Sequence, residues 1–65
     1  MTVQSDRRSL ATTEQVAEYL QKPVATLHQW AYLGTGPRFA KVGRTRRYRW
    51  SDVDAWLDEQ TRMAS

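Results

Sequence analysis

GTGPRFAKVGRTRRYRW, Gly34 to Trp50, is the stretch on which the fold turns. Two short runs, Phe39-Ala40-Lys41-Val42 and Arg47-Tyr48-Arg49-Trp50, flank Gly43-Arg44-Thr45-Arg46. The runs alternate with a period close to two and carry aromatic and β-branched residues, the pattern of half-buried strands. A glycine inside that connection suits a hairpin turn, because glycine accepts the positive φ such turns need. The stretch therefore predicts a small β-hairpin with Arg44 and Arg46 nearest its tip. By alternation, Tyr48 points inward while Arg47 and Arg49 point out. Arg38, Lys41, Arg44, Arg46, Arg47 and Arg49 all lie here, with no acid among them. A basic hairpin set between helices can lie along a phosphate backbone. The competing explanation is a solvated edge strand kept soluble by its charge.

The segment before the hairpin carries helical spacing. Leu27, Trp30 and Ala31 form an inward stripe, and Ala25, His28, Gln29 and Tyr32 fall on the other side, with Thr26 at the flank. Gly34 is a natural left-handed cap for this helix, and Gly36-Pro37 prevents its continuation. Its start lies at Pro23 or Val24. Proline lacks an N–H and disfavours helical geometry in the residue before it, yet fits a first helical turn. An earlier helix starts at Thr12-Thr13-Glu14-Gln15, a capping box in which Thr12 and Gln15 satisfy each other's backbone N–H. Val16, Ala17 and Leu20 give its apolar stripe, widened by Tyr19, and it runs to Gln21. A short turn between two short helices is the helix-turn-helix signal. The outer face of the second helix has no acid and offers a hydroxyl, an imidazole and an amide, which can hydrogen-bond base edges. A plain polar surface is the alternative.

Beyond the hairpin, Ser51-Asp52-Val53-Asp54 opens a third helix. Ser51 is the expected cap, Asp52 and Asp54 favour the positive helix end, and Trp50 can staple onto Ala55. Val53, Trp56 and Leu57 form the buried stripe, while Asp58 and Glu59 face solvent. This acidic helix should lie away from a nucleic acid. Three tryptophans raise the possibility of stacking single-stranded bases. Trp30 and Trp56 sit on apolar stripes and are read as core; Trp50 is open between staple and exposed ring.

The whole chain bounds these readings. Its 65 residues make one small domain, mostly α with a small β-hairpin in the order α-α-β-β-α. A domain this small buries only about 60% of its unfolded surface. Residues 1–9 read as a disordered tail, 10–60 as the folded domain, and 61–65 as a frayed end. Arg7 and Arg8 in the tail read as solvated charges. There is no cysteine, which removes disulfides and thiolate metal sites and fits a reducing cytoplasm. The formal charge is +3 and the isoelectric point about 9.8. Its distribution says more than its size. All seven acids lie at or before Glu18 or at or after Asp52. Between Leu20 and Trp50 the only charges are Lys22 and the hairpin cations. No apolar run approaches the ~20 residues of a membrane span. An enzyme is the weakest reading, because the one histidine, His28, has no carboxylate within a helical turn and there is no glycine-rich phosphate loop. No metal or cofactor is expected.

The combined pattern resembles the excisionase-type DNA-binding domain, a short winged helix-turn-helix related to MerR-type regulators. Thr12-Thr13-Glu14-Gln15-Val16-Ala17-Glu18-Tyr19-Leu20 is similar to its opening helix. Thr26-Leu27 with Trp30, then Tyr32-Leu33-Gly34-Thr35-Gly36-Pro37, is similar to its second helix and exit. Lys41-Val42-Gly43-Arg44, Arg47-Tyr48-Arg49, and Asp52-Val53 with Ala55-Trp56-Leu57 are similar to its wing and closing helix. The turn departs from the pattern, with Gln21-Lys22-Pro23 where many relatives begin with glycine. The resemblance implies that the second helix reads the major groove, with Val24, Ala25, Thr26, His28 and Gln29 as its contact set. It implies a wing of Arg38, Lys41, Arg44, Thr45, Arg46, Arg47 and Arg49 that holds the backbone or enters the minor groove. It also implies several copies on adjacent sites of double-stranded DNA, bending it and helping a tyrosine integrase to excise a prophage in a bacterial cytoplasm. The free chain, with no heptad run, is expected to be a monomer. A small transcriptional regulator of the same fold is the nearest alternative. A protein-interaction adaptor with a basic hairpin is the alternative of another class.

Overall fold

The computed structural model describes residues 10–64. The expected tail, with Arg7 and Arg8, and the terminal Ser65 lie outside the described residues. The elements run α1 (Thr13–Leu20), α2 (Val24–Leu33), β1 (Ala40–Val42), β2 (Thr45–Arg47) and α3 (Trp50–Ala64). Three helices with a two-stranded antiparallel hairpin make the expected winged helix-turn-helix layout.

The capping box at the start of α1 forms as read. The Gln15 N–H donates to Thr12 Oγ1 at 3.0 Å, and the Thr12 N–H donates to Gln15 Oε1 at 2.9 Å. Such a cap stabilises a helix by about 1 kcal/mol. Both α1 and α2 close with the same pair of bonds. The Lys22 N–H donates to the Ala17 carbonyl at 2.9 Å and that of Gln21 to Glu18 at 3.1 Å; Thr35 to Trp30 at 2.9 Å and Gly34 to Ala31 at 3.3 Å repeat the motif. Each closure needs one left-handed residue. In α2 this is Gly34, but in α1 it is Gln21, at φ 59°. A side chain in that region costs roughly 1 kcal/mol.

The hairpin is tighter than the sequence suggests. Ala40 pairs with Arg47, Lys41 with Arg46 and Val42 with Thr45, which leaves only Gly43 and Arg44 as the loop. Gly43 has φ 66° and Arg44 does not have a positive φ, the signature of a type II′ turn. The expected second strand, Arg47 to Trp50, is therefore displaced: β2 begins at Thr45, and Trp50 belongs to α3. The alternation was hidden because Thr45 and Arg46 carry no large apolar side chain. Tyr48 continues the strand in another direction. Its N–H donates to the Ala11 carbonyl at 2.9 Å, and the Ala11 N–H donates back to its carbonyl at 2.7 Å. Ala11, which precedes the cap of α1, is thus stitched to the end of the hairpin.

The core draws on every part of the fold. Ala11, Val16, Ala17, Leu27, Tyr48 and Val53 are each at most 3% exposed. Leu20, Val24, Trp30 and Trp50 pack around them half-buried. Trp30 and Trp56, read as core, instead form a half-buried pair at its edge, ring centroids 5.2 Å apart. Leu57, placed on the buried stripe, is 37% exposed, because it edges an open groove with Leu20, Trp30 and Trp56 instead of being covered by them. Gly36 has a structural reason to be glycine: a Cβ there would lie 3.0 Å from the Trp30 side chain, and its φ is 80°.

α3 differs from expectation at both ends. Trp50 is its first helical residue, so Ser51 lies within the first turn and is not the cap. The Arg49 carbonyl accepts from Asp52 and Val53 instead. The Trp50 ring meets Tyr19 edge-on at 5.4 Å, in place of the expected staple onto Ala55. The helix continues through Thr61 to Ala64, where fraying is expected from sequence.

Candidate nucleic-acid interface

Leu27, fully buried, fixes the rotation of α2, with Trp30 half-buried on the same side. Helical spacing then leaves Ala25, His28, Gln29 and Tyr32 exposed in one strip. Tyr32 is the most open of the large hydrophobic side chains among the described residues, at 88%. Of the predicted contact set, Ala25, His28 and Gln29 are exposed and Thr26 is half-buried at the flank. Val24 packs against the core, so only part of it reaches the surface. Pro23 makes no side-chain cap for α2; its carbonyl instead accepts from the Thr26 N–H at 3.0 Å.

The hairpin register sorts the wing residues by face. Phe39, Lys41, Arg46 and Tyr48 share the parity that faces the helices; Ala40, Val42, Thr45, Arg47 and Arg49 share the other. Arg46 is therefore not a tip residue. Its guanidinium lies 5.1 Å from the centre of the Phe39 ring, and Phe39 in turn meets Tyr48 at 5.9 Å. From there Arg46 Nη1 reaches His28 Nδ1 on α2 at 3.0 Å. Its Nε is buried without a partner. Leaving such a donor unpaired costs about 1–3 kcal/mol, so this arginine is held by the ring and the histidine rather than by full hydrogen bonding. Arg44 stands at the turn, exposed, and Arg47 is half-buried with Nη1 donating to the Arg46 carbonyl at 3.0 Å.

A cleft of about 300 Å³ forms between these elements. α2 contributes His28, the hairpin contributes Lys41, Arg44, Thr45, Arg46 and Arg47, and the start of α1 contributes Thr13 and Glu14. Positive charge dominates, which suits a polyanion. Two of the predicted wing residues lie elsewhere. Arg38 lines a separate hollow with Asp52 and Glu59 of α3, and Arg49 is exposed on the outer face beside the start of α3. The acids of α3 are partly occupied: Asp54 accepts from the Tyr19 hydroxyl at 2.9 Å, and Glu59 pairs with Arg62. Burial lifts the Tyr48 phenol above its ordinary range, and the nearby Arg46 guanidinium pulls against that lift. Tyr19 is also raised, by its hydrogen bond to Asp54 and the charge of that carboxylate. Among the described residues no group of three or more His, Cys, Asp or Glu is placed to hold a metal ion, and no helix is long and apolar enough to cross a membrane.

Sequence reasoning missed two residues that line the cleft, Thr13 and Glu14, and one that supports it from beneath Arg46, Phe39. Parity could have found the last, since Phe39 and Tyr48 are equidistant from the turn.

A protein-family model described as a helix-turn-helix domain matches residues 12–61. The chain belongs to the helix-turn-helix domain family. That family includes excisionase-like DNA-binding domains. The matched span of this helix-turn-helix domain takes in α1, α2, the hairpin and most of α3, so it includes both the exposed strip of α2 and the basic cleft. Membership supports DNA as its partner. No curated protein matches the chain.

Proposed function

We propose that this helix-turn-helix domain is a sequence-specific DNA-binding factor of the excisionase type. The observation that carries the reading is the acid-free strip of α2 beside a cleft edged by hairpin cations. α2 enters the major groove with His28 and Gln29 toward base edges, and Ala25 and Thr26 close to the sugar-phosphate wall. Gln29 can bond adenine through its amide. Arg44 at the turn and the outer-face Arg47 and Arg49 follow the backbone, where each contact adds affinity without sequence preference.

One module of this size contacts few base pairs, so its own selectivity is low. Side-by-side copies raise it. The exposed acids of α3, Asp54, Asp58 and Glu59, and the basic hairpin of a neighbour are complementary, and DNA supplies the local concentration that lets a weak head-to-tail contact act. The result is cooperative loading on tandem sites, bending of attachment-site DNA, and bias of a tyrosine integrase toward excision. The test is a band shift on duplexes with one, two and three selected sites, with sedimentation of the free protein. Cooperative filling with bent DNA and a free monomer is expected. A stable free dimer, or independent filling of straight DNA, overturns the assembly. For Gln29→Ala, loss of specific binding with non-specific binding retained is expected; equal loss on selected and random DNA refutes base reading.

A further inference from the structure

We propose that Arg46 is a positioning residue for His28: it dictates which imidazole nitrogen carries the proton, and thereby makes His28 a donor that selects guanine. The inference rests on the reading that α2 faces base edges. Its starting point is the 3.0 Å contact between Arg46 Nη1 and His28 Nδ1. A guanidinium has N–H donors and no acceptor, so in this contact Nδ1 accepts. The ring proton then resides on Nε2, the nitrogen left for contacts beyond the protein. His28 is exposed on the strip that also carries Gln29, so that N–H is presented outward.

Arg46 holds this arrangement before any DNA arrives. It is half-buried, its guanidinium packs on Phe39, and Phe39 packs on the fully buried Tyr48. The wing thus reaches the recognition helix through a chain of contacts anchored in the core. An arginine so placed is not a mobile phosphate clamp like the exposed Arg44.

The chemistry of the major groove converts this fixed donor into a preference. Guanine presents two acceptors there, N7 and O6; adenine presents one acceptor beside a donor, thymine one acceptor beside a methyl, and cytosine a donor. A donor-only imidazole therefore fits guanine best and meets a like group at cytosine. Without Arg46 either ring nitrogen can carry the proton, and the position can accept as well as donate.

The experiment uses the full chain. A duplex is first selected from a randomised pool, and affinities are then measured on four versions of each base pair in it. One position is expected to favour guanine over cytosine by roughly tenfold. His28→Ala erases the preference at that position alone. Arg46→Met, which keeps an apolar stem on Phe39, flattens the same position while the salt slope stays unchanged; Arg46→Lys, still a pure donor, restores it. Nitrogen-15 spectra of the free wild-type chain read the ring directly and do not depend on any variant folding: protonated Nε2 is expected, and protonated Nδ1 overturns the proposal. If Arg46→Met keeps the guanine preference and the slope falls by about 0.9, Arg46 is a phosphate contact and this inference alone fails. A wild-type chain that selects no sequence overturns the α2 reading and this inference together.

Discussion

Both faces of the hairpin carry cations, but only one of them carries aromatic rings, and the two do different work. On one face Lys41 and Arg46 alternate with Phe39 and Tyr48, and Tyr48 is buried in the core. On the other, Val42, Thr45 and Arg49 are exposed and Arg47 is half-buried without an aromatic ring against it. Arg46 and Arg47 are neighbours in sequence, yet only Arg46 has an aromatic ring against its guanidinium and a bond to the second helix. The difference teaches that charge alone does not identify a phosphate contact. In a strand, parity decides which arginine can reach the rings and helices of its own domain.

The strongest way to break this comparison is Tyr48→Ala. Removing the largest fully buried side chain from the inner face should destabilise by about 3–5 kcal/mol, read by urea unfolding; a loss under about 1 kcal/mol would erase the distinction between the faces. The outer face should behave in the reverse way. Arg44→Ala at the turn and Arg49→Ala should each leave unfolding within about 0.5 kcal/mol, while each lowers the salt slope of duplex binding by about 0.9. Binding curves at several salt concentrations check this, and a steeper change in stability than in slope would reverse the assignment.

Alkaline titration sharpens the contrast further. Burial favours the neutral phenol of Tyr48, so its pKa in the fold lies above the ordinary 10.0. A raised pKa contributes stability that is complete below the unfolded value and is lost as pH climbs through the folded one. Unfolding followed above pH 10.0 should therefore show falling stability, and Tyr48→Phe should flatten the fall, leaving the share owed to Tyr19. An unchanged slope in Tyr48→Phe would contradict burial as the cause. Phe39→Leu keeps apolar volume but removes the ring beneath Arg46, at a cost of about 1 kcal/mol, measurable by thermal unfolding. The smallest effect belongs to Val42→Thr on the outer face, within about 0.5 kcal/mol; a larger one would show that this face is packed.

Much of this was legible in the sequence because local rules and tertiary packing agree there. The capping box of Thr12 and Gln15, the left-handed Gly34 and the inward Tyr48 each follow from residue type and spacing. The strand boundary was not legible, because Thr45 and Arg46 lack the apolar side chains that reveal period two. That single slip moved Arg46 from the inner face to the tip. The exposed strip of Ala25, His28, Gln29 and Tyr32 on α2 followed from helical spacing, whereas Val24, which the resemblance adds to the contact set, is partly claimed by the core. The Ala11–Tyr48 pairing had no local signal, since backbone hydrogen bonds between distant segments leave no trace in side-chain pattern.

That pairing has a consequence for how the molecule exchanges its protons with water. The amides of Ala11 and Tyr48 are bonded to each other's carbonyls, between two residues that are almost wholly buried and far apart in the chain. Neither can meet a deuterium atom by a local fluctuation of the turn, because the hairpin tip can open while Tyr48 stays seated. Both should therefore exchange only when the entire domain opens, and at a common rate. The amides flanking Gly43 should be deuterated long before them, so the wing is loose at its end and locked at its root.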